Sequence, residues 1–138
     1  MHLAVDGYTG ATEKLRDPEF IRQFLDEYPD AIGMTKVIAP AVTTYQGPVP
    51  EDWGVSGFVI IAESHISVHT FPARNYIWLD IFSCKEFDPD VALNQVRDIF
   101  SLTSVKSWAL ERGLDHYSPE EARRALDQER TQLTTQAL

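Results

Sequence analysis

Seven consecutive residues, Glu63-Ser64-His65-Ile66-Ser67-Val68-His69, bring a carboxylate, a hydroxyl nucleophile and two imidazoles into one short stretch, and the sole cysteine, Cys84, follows soon after. Three readings compete for this stretch. Read as a plain strand, His65, Ser67 and His69 share one face and are simply solvated. Read as a metal site, His65, His69 and Cys84 are competent zinc ligands. Two histidines four apart on a strand lie too far apart to converge easily, however, unlike the same spacing on a helix, and a chain with one cysteine has few soft ligands to complete a site. No metal is therefore expected. Read as a nucleophilic site, the serine attacks, a histidine moves protons and a cysteine from a neighbouring strand acts as the acid. Period-two alternation puts Ser64 and His69 on opposite faces of a continuous strand, so the third reading requires the chain to bend or break beside Ser64.

Four runs in fixed order sharpen the choice: Gly54-Val55-Ser56-Gly57, Ile60-Ile61-Ala62-Glu63-Ser64-His65, His69-Thr70-Phe71-Pro72 and Asp80-Ile81-Phe82-Ser83-Cys84. Together they resemble the central motifs of the prokaryotic S-adenosylmethionine decarboxylase proenzymes, closely over residues 54–84 and by length and element order elsewhere. That resemblance implies a pyruvoyl group made from the chain itself. Ser64 Oγ attacks the Glu63 carbonyl, the resulting ester eliminates, and the chain divides into fragments 1–63 and 64–138 with the pyruvoyl group, the Schiff-base former, at residue 64. By the same resemblance His69 is the processing base and Ser56 assists processing by hydrogen bonding. Glu63 and Ser64 flank the cut, and Cys84 is the proton donor in decarboxylation. A cysteine thiol is largely protonated at neutral pH, as an acid must be. The resemblance also implies a homodimer of processed protomers whose active sites draw on both copies.

Substrate choice is less sharply written. The family's usual substrate is S-adenosylmethionine, whose product feeds spermidine synthesis, while some relatives act on L-arginine or L-ornithine. Members specific for S-adenosylmethionine carry two small residues where this chain has Ile77-Trp78, and a glutamate in place of Ala73. Trp78 shares a face with Cys84 and should narrow the pocket. In the family an aromatic from the region of loop 45–53 stacks on the adenine and faces the sulfonium, a part the resemblance gives to Tyr45 or Trp53, and Glu51 or Asp52 could pair with a guanidinium or ammonium, unless both acids are merely solvated. S-adenosylmethionine is the first expectation and arginine or ornithine the second. A reading of another class is an unprocessed binding homologue without activity, against which the joint presence of Ser56, Ser64, His69 and Cys84 argues.

The elements that must position these residues alternate in period. Asp17-Pro18-Glu19 starts a helix with a capping aspartate and a proline at its first position, carrying Phe20, Ile21, Phe24 and Leu25 to a stop at Pro29. A second helix starts at Asp88-Pro89 with Val91, Ala92, Val96, Ile99 and Phe100 inward, and a third at Ser118 with capping-box spacing to Glu121. Strands are expected at 37–44, 55–63, 66–71, 76–83 and 105–110. Short breakers such as 72–75 suit hairpins, so the fold class is α+β, a two-layer sandwich of a mostly antiparallel sheet with helices on one face. In the run 76–84, Ile77, Leu79, Ile81 and Ser83 should face the helices, and Tyr76, Trp78, Asp80, Phe82 and Cys84 the other side.

Length and charge bound the rest. At 138 residues and 43% hydrophobic the chain is one domain with a real core. Acidic residues outnumber basic ones 21 to 12, a formal charge of -9 that repels phosphate backbones and anionic lipid, so neither nucleic acid nor membrane is an expected partner. A small cationic substrate is compatible with that charge. The lone cysteine cannot form an internal disulfide, and no apolar run is long enough to span a bilayer, which points to a cytoplasmic protein.

Overall fold

The structure, a computed structural model, describes residues 1–113 together with Glu120, Glu121 and Arg124. It contains β1 (His2–Thr9), α1 (Thr12–Arg16), α2 (Pro18–Ala31), β2 (Thr35–Lys36), β3 (Ala41–Tyr45), β4 (Gly54–Ala62), β5 (Ser64–Phe71), β6 (Tyr76–Ser83), α3 (Pro89–Phe100) and β7 (Leu102–Leu110). The strands form one antiparallel sheet in the order β2-β4-β5-β6-β1-β7, with β3 also paired to β4. Among the described residues no helix is long and apolar enough to cross a membrane.

Both long helices begin as their sequences dictate. The Asp17 side chain accepts from the Glu19 N–H, and Asp88 accepts from the N–H groups of Asp90 and Val91, satisfying amide donors that a helix start leaves unpaired. Ile21, Phe24 and Leu25 of α2 and Ala92, Val96 and Phe100 of α3 then bury one stripe each against Leu3, Val5, Val59, Ile66, Val68, Leu79 and Ile81 of the sheet. Each of these side chains larger than alanine contributes about 1.5–3 kcal/mol on full burial. The helices thus cover one sheet face, and the other stays open.

Several expected boundaries shift. The run 37–44 is interrupted: β2 ends at Lys36 and β3 begins only at Ala41, after Pro40, since proline cannot donate to a ladder. Helix α2 passes Pro29 and ends at Ala31, with the Ile32 and Met34 N–H groups closing on the Pro29 carbonyl. Val91, expected inward, is exposed because it sits in the first turn of α3, off the buried stripe. β5 starts earlier, at Ser64, and β7 at Leu102. Strand β1 and the short helix α1 have no counterpart among the expected elements. Of the third expected helix, Glu120, Glu121 and Arg124 are helical, and its remainder lies outside the described residues.

One close approach fixes the end of the sheet nearest α1. Thr70 Oγ1 is buried, donating to the Leu15 carbonyl at 2.7 Å and accepting from the Val55 N–H at 2.8 Å. A Cβ on Gly54 would stand 1.8 Å from the Thr70 carbonyl oxygen, a backbone atom that cannot move aside. Gly54→Ala should therefore cost about 3 kcal/mol or more, read as a fall in the denaturation midpoint; an unchanged midpoint would show that β4 can shift away.

Candidate active site

The open face of the sheet carries the chemistry-bearing residues in rows set by strand register. Alternation holds as expected: Ile66, Val68, Thr70, Ile77, Leu79, Ile81 and Ser83 are buried toward the helices, while His65 and His69 are exposed on the other face, and Trp78 stands 46% exposed there. One row joins Ser56, His69 and Trp78; the next joins Phe58, Ser67 and Asp80; a third joins Ile60, His65 and Phe82.

At the far end of these rows lies Ser64. It opens β5 opposite Ile61 on one side and Ser83 on the other, and its φ of +122° is one that side-chain-bearing residues rarely adopt. Such a backbone conformation costs about 1–3 kcal/mol and concentrates at functional positions. The chain thus departs from regular strand geometry at Ser64, but this departure does not bring Ser64 to His69 within one chain. The Ser64 hydroxyl lies 3.5 Å from His65 Nδ1, and the carbonyl of Glu63 just before it accepts from the Cys84 backbone N–H at 3.3 Å. Cys84 is held against this carbonyl by its neighbours. The buried Ser83 hydroxyl donates to Met34 Sδ and accepts from the Lys85 N–H, the Ser83 carbonyl accepts from the N-terminal ammonium, and Lys85 Nζ reaches the Gly33 carbonyl at 2.8 Å.

His69 and Ser56 form the second group. Direct cross-strand partners in β5 and β4, they are hydrogen bonded between Nδ1 and Oγ at 2.9 Å. A crevice of about 270 Å³ opens beside them, walled by residues 41–43 of β3, residues 56–58 of β4 and Ser67. Thr43, directly opposite Ser56, is a wall residue that the sequence did not single out, because only the β3–β4 register brings it there. Five residue steps along β5 separate Ser64 from His69, about 16 Å at the usual rise. Within one chain, therefore, the structure unites Ser64 with Cys84 and Ser56 with His69, but leaves the two pairs apart.

The loop candidates divide similarly. Trp53 lines a cavity of about 400 Å³ with Arg16, Thr44, Gln46, Pro72 and Ala73, its indole N–H donating to the Gly47 carbonyl. Tyr45 is exposed and lies against Gly47. Glu51 is exposed in a single helical turn. Asp52 is engaged by Arg74 at 3.1 Å, so its carboxylate already has a cation. Trp78 sits in a ring cluster on the open face, 4.7 Å from Phe71 and 6.4 Å from His69 between centroids. Burial and a hydrogen bond with the Asp6 carboxylate raise the Tyr76 hydroxyl above its ordinary value in the same cluster. Among the described residues no group of three or more His, Cys, Asp or Glu side chains is placed to hold a metal ion.

Comparison with known proteins gives the family of the chain. Residues 1–113 match the family described as S-adenosylmethionine decarboxylase. The chain is 31% identical over 114 residues to the S-adenosylmethionine decarboxylase proenzyme of Brevibacillus brevis, covering 82% of this chain and 81% of that one. To the proenzyme of Pyrococcus furiosus it is 34% identical over 115 residues, 83% and 78% of the two chains. The crystal structure of the adenosylmethionine decarboxylase from Aquifex aeolicus superposes with a TM-score of 0.64 at 27% identity, over 81% of this chain and 88% of that one. With a family match spanning most of its length and the same antiparallel sheet beneath its motifs, the chain belongs to the S-adenosylmethionine decarboxylase family of carboxy-lyases.

Proposed function

We propose that the chain cuts itself between Glu63 and Ser64 and then decarboxylates S-adenosylmethionine, a step of polyamine synthesis, as a homodimer of processed protomers. The observation that carries this reading is the Glu63–Ser64–Cys84 geometry: a hydroxyl on a strained backbone, whose preceding carbonyl already accepts an N–H. Attack of Ser64 Oγ on the Glu63 carbonyl carbon moves negative charge onto the oxygen that the Cys84 N–H faces, the position of an oxyanion donor. Collapse breaks the C–N bond and leaves an ester between Glu63 and the Ser64 side chain. Loss of the Ser64 α-proton then expels the Glu63 carboxylate, ending the first fragment at residue 63. The residue left at position 64 takes up water and releases ammonia.

The residues present fit a pyruvoyl group at position 64, because the serine that would form it lies beside the thiol-bearing Cys84. When present, such a group supplies a conjugated carbonyl as electron sink for loss of carbon dioxide. Cys84 is the acid that returns a proton to the substrate carbon. His69 serves as the processing base. For Nε2 to accept a proton, Nδ1 must carry its hydrogen and donate to Ser56 Oγ, so Ser56 fixes the tautomer.

Separation of the two pairs within one chain supports a site completed by a second copy. Face-to-face pairing of the open sheets in opposite directions would bring His69 and Ser56 of one protomer to Ser64 and Cys84 of the other. It would also cover Tyr8, Phe58, Ile60, Trp78, Trp108 and Leu110, all at least 40% exposed in the single chain. A mixing experiment tests this. Ser64→Ala and His69→Ala chains should each stay uncut alone, yet coexpression should restore cleavage of the His69→Ala chain, whose intact Ser64 then meets the intact His69 of the other copy. If coexpressed chains both remain whole, a site shared between copies is wrong.

A second reading, decarboxylation of arginine or ornithine, is favoured by Trp78, a large ring beside His69 on the open face that leaves less room for a bulky substrate. Release of carbon dioxide from the three labelled amino acids, compared side by side, separates the two.

A further inference from the structure

The open face holds a charged network that the steps above leave unused. His2 Nε2 lies 2.7 Å from Asp80 Oδ1, Arg112 donates toward His2 Nδ1 at 3.4 Å, and the Arg112 guanidinium lies 4.1 Å from the centre of the Phe82 ring. Register makes this possible. His2 is paired with Phe82 on one side and Leu110 on the other, so the chain leaving β7 passes back across His2. In the tautomer that donates Nε2–H to Asp80, Nδ1 is left as an acceptor, and one imidazole links a cation to an anion.

Location gives the network its meaning. Phe82 is the direct partner of His65, with ring centroids 5.9 Å apart, and Cys84 is two residues farther along the same strand direction. The guanidinium therefore stands at the Ser64–Cys84 end of the sheet. Among the described residues, no salt bridge joins Arg112 to a carboxylate. A guanidinium has five N–H donors; His2 engages one side, and stacking on Phe82 consumes none, so a planar fork remains for a second ligand. In a chain of net charge -9 the surroundings favour the cationic end of an amino-acid substrate. Its anionic end needs a local cation.

We infer that Arg112, backed by Phe82 and oriented by His2 and Asp80, receives the carboxylate of the substrate at residue 64, so that this end of the sheet contains a carboxylate subsite. This inference rests on the decarboxylase reading and names the part of the site that recognises the group to be lost. Arg112 binds the substrate, while His2 and Asp80 are positioning residues. Because carbon dioxide leaves uncharged, the product has nothing for Arg112 to hold.

That difference provides the test. In Arg112→Gln, the KM for S-adenosylmethionine should rise about 10- to 100-fold, the worth of a charge-assisted hydrogen-bonded pair. Calorimetric binding of decarboxylated S-adenosylmethionine should be unchanged, and cleavage at residue 63 should proceed normally. Arg112→Lys, which keeps the charge without the fork, should fall between, and His2→Leu should raise KM in the same direction by less. The carboxylate subsite is overturned if substrate and product binding in Arg112→Gln are both unaltered, or if both weaken alike, as for a packing or subunit contact. Unaltered protein that never cleaves and never releases carbon dioxide overturns the decarboxylase reading and this inference together; cleaved, active protein with an indifferent Arg112 overturns this inference alone.

Discussion

Ser64→Ala leaves the chain whole: denaturing electrophoresis should show one band at full length, where the unaltered protein gives two fragments. The substitution removes a single oxygen and nothing that holds the fold. Ser64 Oγ makes one long contact, 3.5 Å to His65 Nδ1, and no buried partner depends on it. The backbone at residue 64 has the same φ of +122° to accommodate whether alanine or serine stands there, so strain is common to both proteins. A folded but uncut variant, judged by an unaltered circular dichroism spectrum, would isolate the loss as chemical. Cleavage of Ser64→Ala at the usual bond would remove the hydroxyl from its role.

Cys84→Ala should separate the two reactions of this site. Its contribution to self-cleavage comes through the backbone N–H that faces the Glu63 carbonyl at 3.3 Å, and alanine retains that N–H. The segment remains anchored by Ser83 and Lys85, whose bonds to Met34 and Gly33 do not involve the cysteine side chain. Fragments 1–63 and 64–138 should therefore still form. Decarboxylation by the cleaved variant should fall by about 10²- to 10⁴-fold, the usual range for loss of a positioned general acid. Turnover at the ordinary rate would eliminate the thiol as proton donor, whereas loss of cleavage with turnover would mean that the thiol itself acts in processing.

The parts of this molecule that were legible in its sequence are those governed by local periodicity. Alternation in Tyr76–Ser83 separated a face of Ile77, Leu79 and Ile81, all buried, from one bearing Trp78 and Phe82, and the caps Asp17 and Asp88 placed both long helices. Strand β1 was not legible, since Gly7 interrupts its inward apolar set and its order comes from being paired along both edges, to β6 and β7. The engagement of Asp52 by Arg74 was equally hidden, because it depends on two loops meeting. So was the link from Asp80 through His2 to Arg112, which joins residues from near the two ends of the described chain. For the candidate site, the resemblance of four motifs to a known family singled out Ser64, His69, Ser56 and Cys84 as candidates. Only register showed that the four fall into two pairs about 16 Å apart.

Mass spectrometry of the purified protein under denaturing conditions tests the central claim most directly. Two species should appear in equal amounts, one ending at Glu63 with a free carboxylate and the other beginning at residue 64, the latter lighter by one ammonia than a fragment that starts with serine. A single full-length species that persists through prolonged incubation, or a second fragment that begins with unmodified Ser64, would contradict it.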